Sequence, residues 1–428
     1  MSNIVVTKDP LVLVRSSSEP AVATSGTIKL SPFDKGHVFY RFTALLVFDQ
    51  PIHQAANTIK TALSHTLVHY YLFSGRITSC ADADDNEFQI QCTDEGVEFV
   101  AASASCALKE VKSFDGALLG ELVVVDSPHR GRRPTDPLLS LQVTEFSCGG
   151  FILGVTWNHA VADGVGIAQF VAAVGELSRG SPSPSVVPVR WDDAVSNCSP
   201  PFSAVRQAMV MSPQPLALVA LDDIAIPMSS IDRVRAEFRS SFSGQRCTTF
   251  EVAVAILWQC RTRAIAPDPP ETPVFVAFVA DVREHVGARD GYYGNCIADQ
   301  VVRSTSSTVA STDVANLVAM IKHAKDHISD QFKKKDASDD DAADRNQLQG
   351  LGGRYHMLLV SSWRNLGFHK ADFGSGGPAR VMSHGSGTPA PVCIMFGPCK
   401  GKDGVTVLSV SVKEEHATAF LRELARFT

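Results

Sequence analysis

No run of 18 or more apolar residues occurs in the 428-residue chain, which excludes an ordinary membrane-spanning helix. None of the ten cysteines forms a C-x-x-C pair, so the common zinc modules are excluded. There is no basic excess: 39 Lys and Arg stand against 45 Asp and Glu, a formal charge of −6, which argues against a nucleic-acid binder. No 20–50-residue repeat is visible, so a solenoid is not expected. The first residues lack the basic and then apolar regions of a signal peptide, and Ala425-Arg426-Phe427-Thr428 matches no retention or peroxisomal address. The expectation is a cytoplasmic protein with reduced thiols, several of them core fillers.

What is present is an interior. With 45% hydrophobic and 20% charged residues, the chain can bury a core large enough for two domains. The first half alternates strands and helices. Strands are expected at Thr27–Leu30, Ala44–Phe48, Glu121–Val125, Leu138–Phe146 and Phe151–Trp157, the last two joined through Ser147-Cys148-Gly149-Gly150 as a hairpin. Ile59, Leu63 and Leu67 recur every four residues, and Ile167, Phe170, Val171, Val174 and Leu177 share one helical face, with Gly180 placed for a left-handed cap. From Ser181 to about Pro201 the composition turns to Ser, Pro and Val, which reads as an extended crossover. The second half repeats the mixture. Helices are expected over Phe250–Arg263, over Thr312–Phe332 and around Phe420–Phe427, with strands at Val274–Val279, Val392–Phe396 and Val405–Val412. Lys333–Asp344, three lysines and then five aspartates, reads as a solvated loop.

The segment Asn158-His159-Ala160-Val161-Ala162-Asp163-Gly164 lies between a strand end and a helix start. A histidine there can take a proton from a hydroxyl or amine as that group attacks a carbonyl. Gly164 and Gly166 remove side chains where a ligand or backbone approaches closely. Taken alone, a histidine is more often a surface or satisfied core residue, and H-x-x-x-D arises by chance. A metal site built on His159 and Asp163 lacks a third ligand, and no H-E-x-x-H exists. Asp372-Phe373-Gly374 has the letters of a kinase motif, but no Gly-rich loop or catalytic-loop Asp–Asn pair accompanies it.

Taken together the segments resemble the plant BAHD acyltransferases. His159-Ala-Val-Ala-Asp163-Gly164 matches that family's HxxxDG, and Asp372-Phe-Gly374-Ser375-Gly resembles its DFGWG with Ser375 in place of tryptophan. Ser362–Phe368, Tyr70–Arg76, Thr248–Glu251, Trp258 and Tyr292–Asn295 fit in the same order, so the resemblance spans nearly the whole chain. Leu72 is a smaller departure, standing where proline is usual. A carrier-protein-dependent condensation domain shares HxxxDG but usually carries a second histidine before it, where this chain has Asn158.

The resemblance implies an α/β fold of two similarly sized mixed-sheet domains, chloramphenicol-acetyltransferase-like, with a channel between them. The expected division is 1–180, a crossover loop at 181–205, and 206–428. It implies that His159 deprotonates the acceptor in a ternary complex with an acyl-CoA co-substrate. No permanent cofactor, no metal, no nucleic-acid or membrane partner and a monomeric state are expected. Asp163 is expected to anchor its loop by pairing with Arg283, with Gly164 beside it, while Asp372 and Gly374 support structure. Arg246, Thr248 and Thr249 fall in the segment resembling the CoA-contacting region, though Arg246 reads equally as a surface arginine. His37 and Tyr40 fall near the variable acceptor wall, where a plain surface reading stands beside the functional one. The function implied is acyl transfer from an aromatic or acetyl acyl-CoA to a hydroxyl of a plant specialised metabolite. The alternatives are N-acylation of an amine and a catalytically silent CoA- or metabolite-binding protein.

Overall fold

The computed structural model describes residues 4–17, 26–80, 87–111, 114, 116–124, 135–198, 200, 216–332, 354–384 and 390–428. The chain divides into two compact units. The first comprises Met1–Ser199, Arg283–Cys296 and Asn365–Gly385; the second comprises Pro200–Val282, Ile297–Arg364 and Ser386–Thr428. Two segments of the second half of the sequence are therefore built into the first unit. Both units are mixed-sheet α/β structures.

The strands of the first unit are β1 (Val6–Lys8), β2 (Val12–Val14), β3 (Thr27–Lys29), β4 (Arg41–Phe48), β5 (Arg76–Ser79), β6 (Phe88–Gln91), β7 (Val97–Ala104), β8 (Leu139–Phe146) and β9 (Phe151–Asn158). Its main sheet runs β1-β7-β8-β9-β4 and ends on the strand Arg380–Ser383, with β2 also paired to β7. β7 and β8 are parallel, and the other pairs are antiparallel. β3, β6 and β5 form a separate small sheet. β9 lies between two partners and every one of its residues is buried, Thr156 and Asn158 included, so its apolar side chains fall on both faces rather than alternating. The β8–β9 hairpin forms as expected, with Phe146 N donating to Gly150 O at 2.9 Å. Helix α1 (Ala55–His69) buries Ile59, Ala62, Leu63 and Leu67. Helix α2 (Gly164–Ser178) buries Ile167, Phe170, Val171, Val174 and Leu177, and Gly180 follows it at φ +87°.

In the second unit a six-stranded sheet runs Val219–Ile226, Val405–Val412, Val392–Phe396, Met357–Ser362, Pro273–Asp281, Ile297–Thr305. Helices α3 (Met228–Ser241), α4 (Thr249–Ile265), α5 (Val314–Asp326) and α6 (Glu414–Leu424) supply Ile231, Leu257, Trp258, Leu317, Ile321 and Phe420 to its core. Fourteen residues of α4 are buried, among them Arg261. Its Nε donates to Ser411 O at 2.8 Å, and its NH2 to Tyr355 O. Burial draws the Arg261 pKa down to about 10.

Two expected elements differ. The strand expected at Glu121–Val125 does not form over its described residues 121–124, Val125 lying outside them: Gly116–Glu121 is helical, and Leu119, Leu122 and Val123 turn into a cluster with Leu45, Val47, Phe146 and Ile152. A short apolar run fits either geometry, and here one helical turn buries it against the sheet. The helix expected over Thr312–Phe332 stops at Asp326, and His327, at φ −103° and ψ 16°, separates it from a single turn at Ile328–Gln331. Ile328 is still buried, so the apolar stripe continues across the break. The charged stretch Lys333–Asp344 lies outside the described residues. All ten cysteines are free thiols, with Cys260, Cys296 and Cys393 buried. No described helix is long and apolar enough to cross a membrane.

Candidate active site

The site is built where β9 ends and α2 begins, in the first unit. β9 carries Trp157 and Asn158 to its last register position, opposite Phe42 and Arg41 of β4. The chain then turns through His159–Asp163 before the helix. His159 is buried, 8% exposed. Its ring centroid lies 4.4 Å from that of His37 and 4.8 Å from that of Phe42, with Trp157 stacked at 6.4 Å. The imidazole therefore sits among aromatic rings and one further titratable ring.

The main chain of this turn is tied down residue by residue. His159 N donates to Tyr40 O at 2.8 Å. Asn158 Nδ2 donates to Val38 O at 2.8 Å, and its Oδ1 accepts from Ala160 N at 2.9 Å. The Trp157 indole donates to Ala162 O at 2.9 Å. From the other side Asn295 Nδ2 donates to His159 O at 2.7 Å, and Arg190 donates to Ala160 O at 3.3 Å. Asn295 and Arg190 share a partner in Asp34, which is wholly buried. Asp34 Oδ1 accepts from Asn295 Nδ2 at 2.8 Å, and Oδ2 accepts from Arg190 at 2.9 Å and from Ser31 Oγ at 2.7 Å. Burial opposes the Arg190 charge, but the Asp34 carboxylate together with the Tyr292 and Tyr293 hydroxyls outweighs it and holds the guanidinium pKa above its ordinary value.

Asp163 is the N-cap of α2. Its Oδ1 accepts from Gly166 N at 3.0 Å and from Arg283 at 2.9 Å, and its Oδ2 accepts from Cys296 N at 3.0 Å. Arg283 in turn donates to Tyr292 O and Gly294 O, at 3.2 and 2.8 Å. The carboxylate thus joins the start of the helix to the 283–296 segment. Gly164 faces Leu366, whose Cδ1 would stand 2.5 Å from an added Cβ. At Gly166 the requirement is stricter, because a Cβ would lie 1.9 Å from Tyr293 O.

The other expected residues are distributed as follows. His37 and Tyr40 lie beside His159, one through its ring and the other through its carbonyl. Asp372 accepts from Gly374 N and Gly376 N, both at 2.8 Å, and pairs with Arg179 at 3.8 Å. These backbone donors, Gly374 foremost, lower the Asp372 pKa. Phe373 packs edge-on against Phe48 at 5.3 Å. The second motif is therefore a closed turn of the first unit that spends its polar groups on itself and on α2. Ser375 Oγ is buried without a hydrogen-bond partner among the described residues. Arg246, Thr248 and Thr249 belong to the second unit. Thr248 caps α4, accepting from Glu251 N at 3.3 Å while Glu251 accepts from Thr248 N at 2.8 Å. Thr249 Oγ1 accepts from Arg235 at 2.6 Å, and Arg246 is exposed.

Sequence reasoning did not single out Asp34 or Arg190, and quoted Asn295 only as part of a matching block. A lone aspartate before a turn and a lone arginine in a Pro/Val stretch carry no local signal. Their meeting is a product of the tertiary fold.

A family model described as the Transferase family matches residues 12–425. Acyl transferase 15 of Oryza sativa subsp. japonica is 44% identical over 441 residues, covering 99% of both chains. A myricetin 3-O-glucosyl 1,2-rhamnoside 6'-O-caffeoyltransferase of Crocosmia x crocosmiiflora is 31% identical over 458 residues, again covering 99% of both. Among solved structures, vinorine synthase superposes with a TM-score of 0.75 at 18% identity, covering 99% of this chain and 98% of its own. At that identity the likeness speaks to the fold alone.

Proposed function

The chain belongs to the BAHD family of acyl-CoA-dependent acyltransferases, and we propose that His159 is its general base and the hydroxyl of a plant specialised metabolite its acceptor. The observation that carries the reading is the placement of His159 at the strand-to-helix turn, its main chain fixed on both sides and its ring beside His37 and Phe42. A fixed imidazole suits proton transfer, because a base held at one distance and angle loses little freedom as the reaction proceeds.

The step follows. The acceptor hydroxyl gives its proton to the imidazole as its oxygen attacks the thioester carbonyl, forming the C–O bond. The tetrahedral intermediate collapses with cleavage of the C–S bond, and the imidazolium returns the proton to the departing thiolate, releasing free CoA. Both substrates are bound together, and no acyl group is carried by the protein. Asp163 takes no proton in this scheme, since both its oxygens already accept hydrogen bonds that hold the loop. His37 and Tyr40 flank the acceptor side, while Arg246, Thr248 and Thr249 contribute to holding the CoA.

The donor is an aromatic acyl-CoA, benzoyl or hydroxycinnamoyl, or acetyl-CoA. The Crocosmia relative is named as a 6'-O-caffeoyltransferase of a myricetin 3-O-glucosyl 1,2-rhamnoside, which favours an oxygen acceptor and a hydroxycinnamoyl donor here. A matrix of acetyl-, malonyl-, benzoyl- and hydroxycinnamoyl-CoA against alcohols and amines, read as thiol release, tests it. The expected result is turnover with an alcohol and an aromatic acyl-CoA. Turnover confined to amines would contradict the acceptor assignment, and CoA binding with no turnover would contradict the enzyme reading.

A further inference from the structure

We infer that Asp34, Arg190 and Asn295 act as a positioning clamp that sets the direction of the His159 imidazole, an inference that rests on reading His159 as the base. The three residues come from remote parts of the chain. Asp34 lies in the turn before β4, Arg190 in the Pro/Val stretch after α2, and Asn295 in the segment from the second half of the sequence. All three belong to the first unit, and Asp34 and Asn295 are fully buried, with Arg190 6% exposed.

A buried ion pair whose only task is to fill space is a poor choice, because apolar side chains of like volume do it at least as well. Here the donors are spent on the histidine's own main chain. Asn295 Nδ2 bridges Asp34 Oδ1 at 2.8 Å and His159 O at 2.7 Å. Arg190 NH2 bridges Asp34 Oδ2 at 2.9 Å and Ala160 O at 3.3 Å. Two successive carbonyls, those of His159 and Ala160, are thus held by one carboxylate through two donors. The opposite face of the same residue is held by Tyr40 O. Gly294 makes room for the guanidinium, since a Cβ there would lie 2.9 Å from Arg190 NH1. The backbone beside Arg190 is itself fixed: Val189 N donates to Gly291 O at 2.9 Å, and Tyr293 N donates to Val189 O at 3.0 Å. None of the three side chains is assigned contact with substrate. They act through the direction of the peptide that carries the base, where a displacement on the order of 1 Å can cost about 10²-fold in rate.

The test is a kcat-against-KM split with Asn295→Ala, Arg190→Lys and His159→Ala in parallel, each checked for folding by circular dichroism. Asn295→Ala is expected to lower kcat by about 10–10²-fold with the acyl-CoA KM changed less than about threefold. Arg190→Lys, which keeps the charge but can serve only part of the fork, is expected to lose about three- to tenfold in kcat. A folded Asn295→Ala enzyme with wild-type kcat, or one whose loss lies wholly in KM, overturns the clamp while an inactive His159→Ala leaves the base reading standing. If Asn295→Ala does not fold, Arg190→Lys decides: reduced kcat at unchanged KM supports the clamp, and wild-type kcat overturns it. Wild-type turnover by His159→Ala overturns the base reading and the clamp together.

Discussion

Replacing Asp163 by asparagine separates an anchoring role from a catalytic one. The carboxylate accepts three hydrogen bonds, from Gly166 N, Arg283 and Cys296 N, at 2.9–3.0 Å. The amide has one oxygen. If it faces Gly166 and Arg283, its NH2 group meets the Cys296 N–H donor to donor; if it is flipped, the helix cap and the ion pair lose their acceptor. In either arrangement Arg283, only 14% exposed in its side chain, loses the charge of the Asp163 carboxylate. Breaking a buried pair from one side costs about 3–5 kcal/mol, and the two carbonyls that Arg283 also serves place the cost near the lower end, about 3 kcal/mol. For a unit of roughly 150–250 residues that corresponds to a melting temperature lower by about 6–12 °C. Thermal melts followed by circular dichroism, with thiol-release assays well below the transition, measure both quantities. The expected variant melts early and keeps substantial activity when cold. A variant that melts with the wild type and is inactive would refute the anchoring role.

Two further outcomes follow from the second motif. Backbone donors hold the Asp372 pKa below its ordinary value, so its stabilisation is present above the unfolded carboxylate pKa and is lost as pH falls through the folded one. Asp372→Asn should therefore be less stable than wild type at pH 7 by about 1 kcal/mol, with the difference shrinking progressively as pH falls below about 4 in denaturant titrations; a gap that stays constant into strong acid contradicts this. Ser375→Ala removes a buried hydroxyl that has no partner among the described residues, and its stability is expected to match or exceed wild type by up to about 1 kcal/mol in the same titrations, whereas a clear loss would show that the hydroxyl is used.

The strongest periodicities and turns were legible in the sequence. The α2 face, the β8–β9 hairpin and the final two strands emerge with nearly the expected bounds, because each is a local pattern of one period closed by a glycine or a polar turn. His159 was legible only through its company, as a short motif in a chain matching a family throughout. The run at 121–125 misled because five apolar or acidic residues fit a strand or a helical turn equally well, and the sheet beneath decided. The integration of Arg283–Cys296 and Asn365–Gly385 into the first unit had no local signature, since it depends on pairing across more than a hundred residues. Asp34 and Arg190 were hidden for the same reason: the Asp34–Arg190 bond spans 156 positions, and each residue alone looks like an ordinary surface charge.

The central claim is that His159 moves the proton. Steady-state thiol release by His159→Ala, with the best donor–acceptor pair and with folding confirmed by its melting curve, tests it most directly. The expected kcat is lower by about 10²–10⁴-fold with the fold intact; a folded His159→Ala protein turning over at the wild-type rate would contradict His159 as the base.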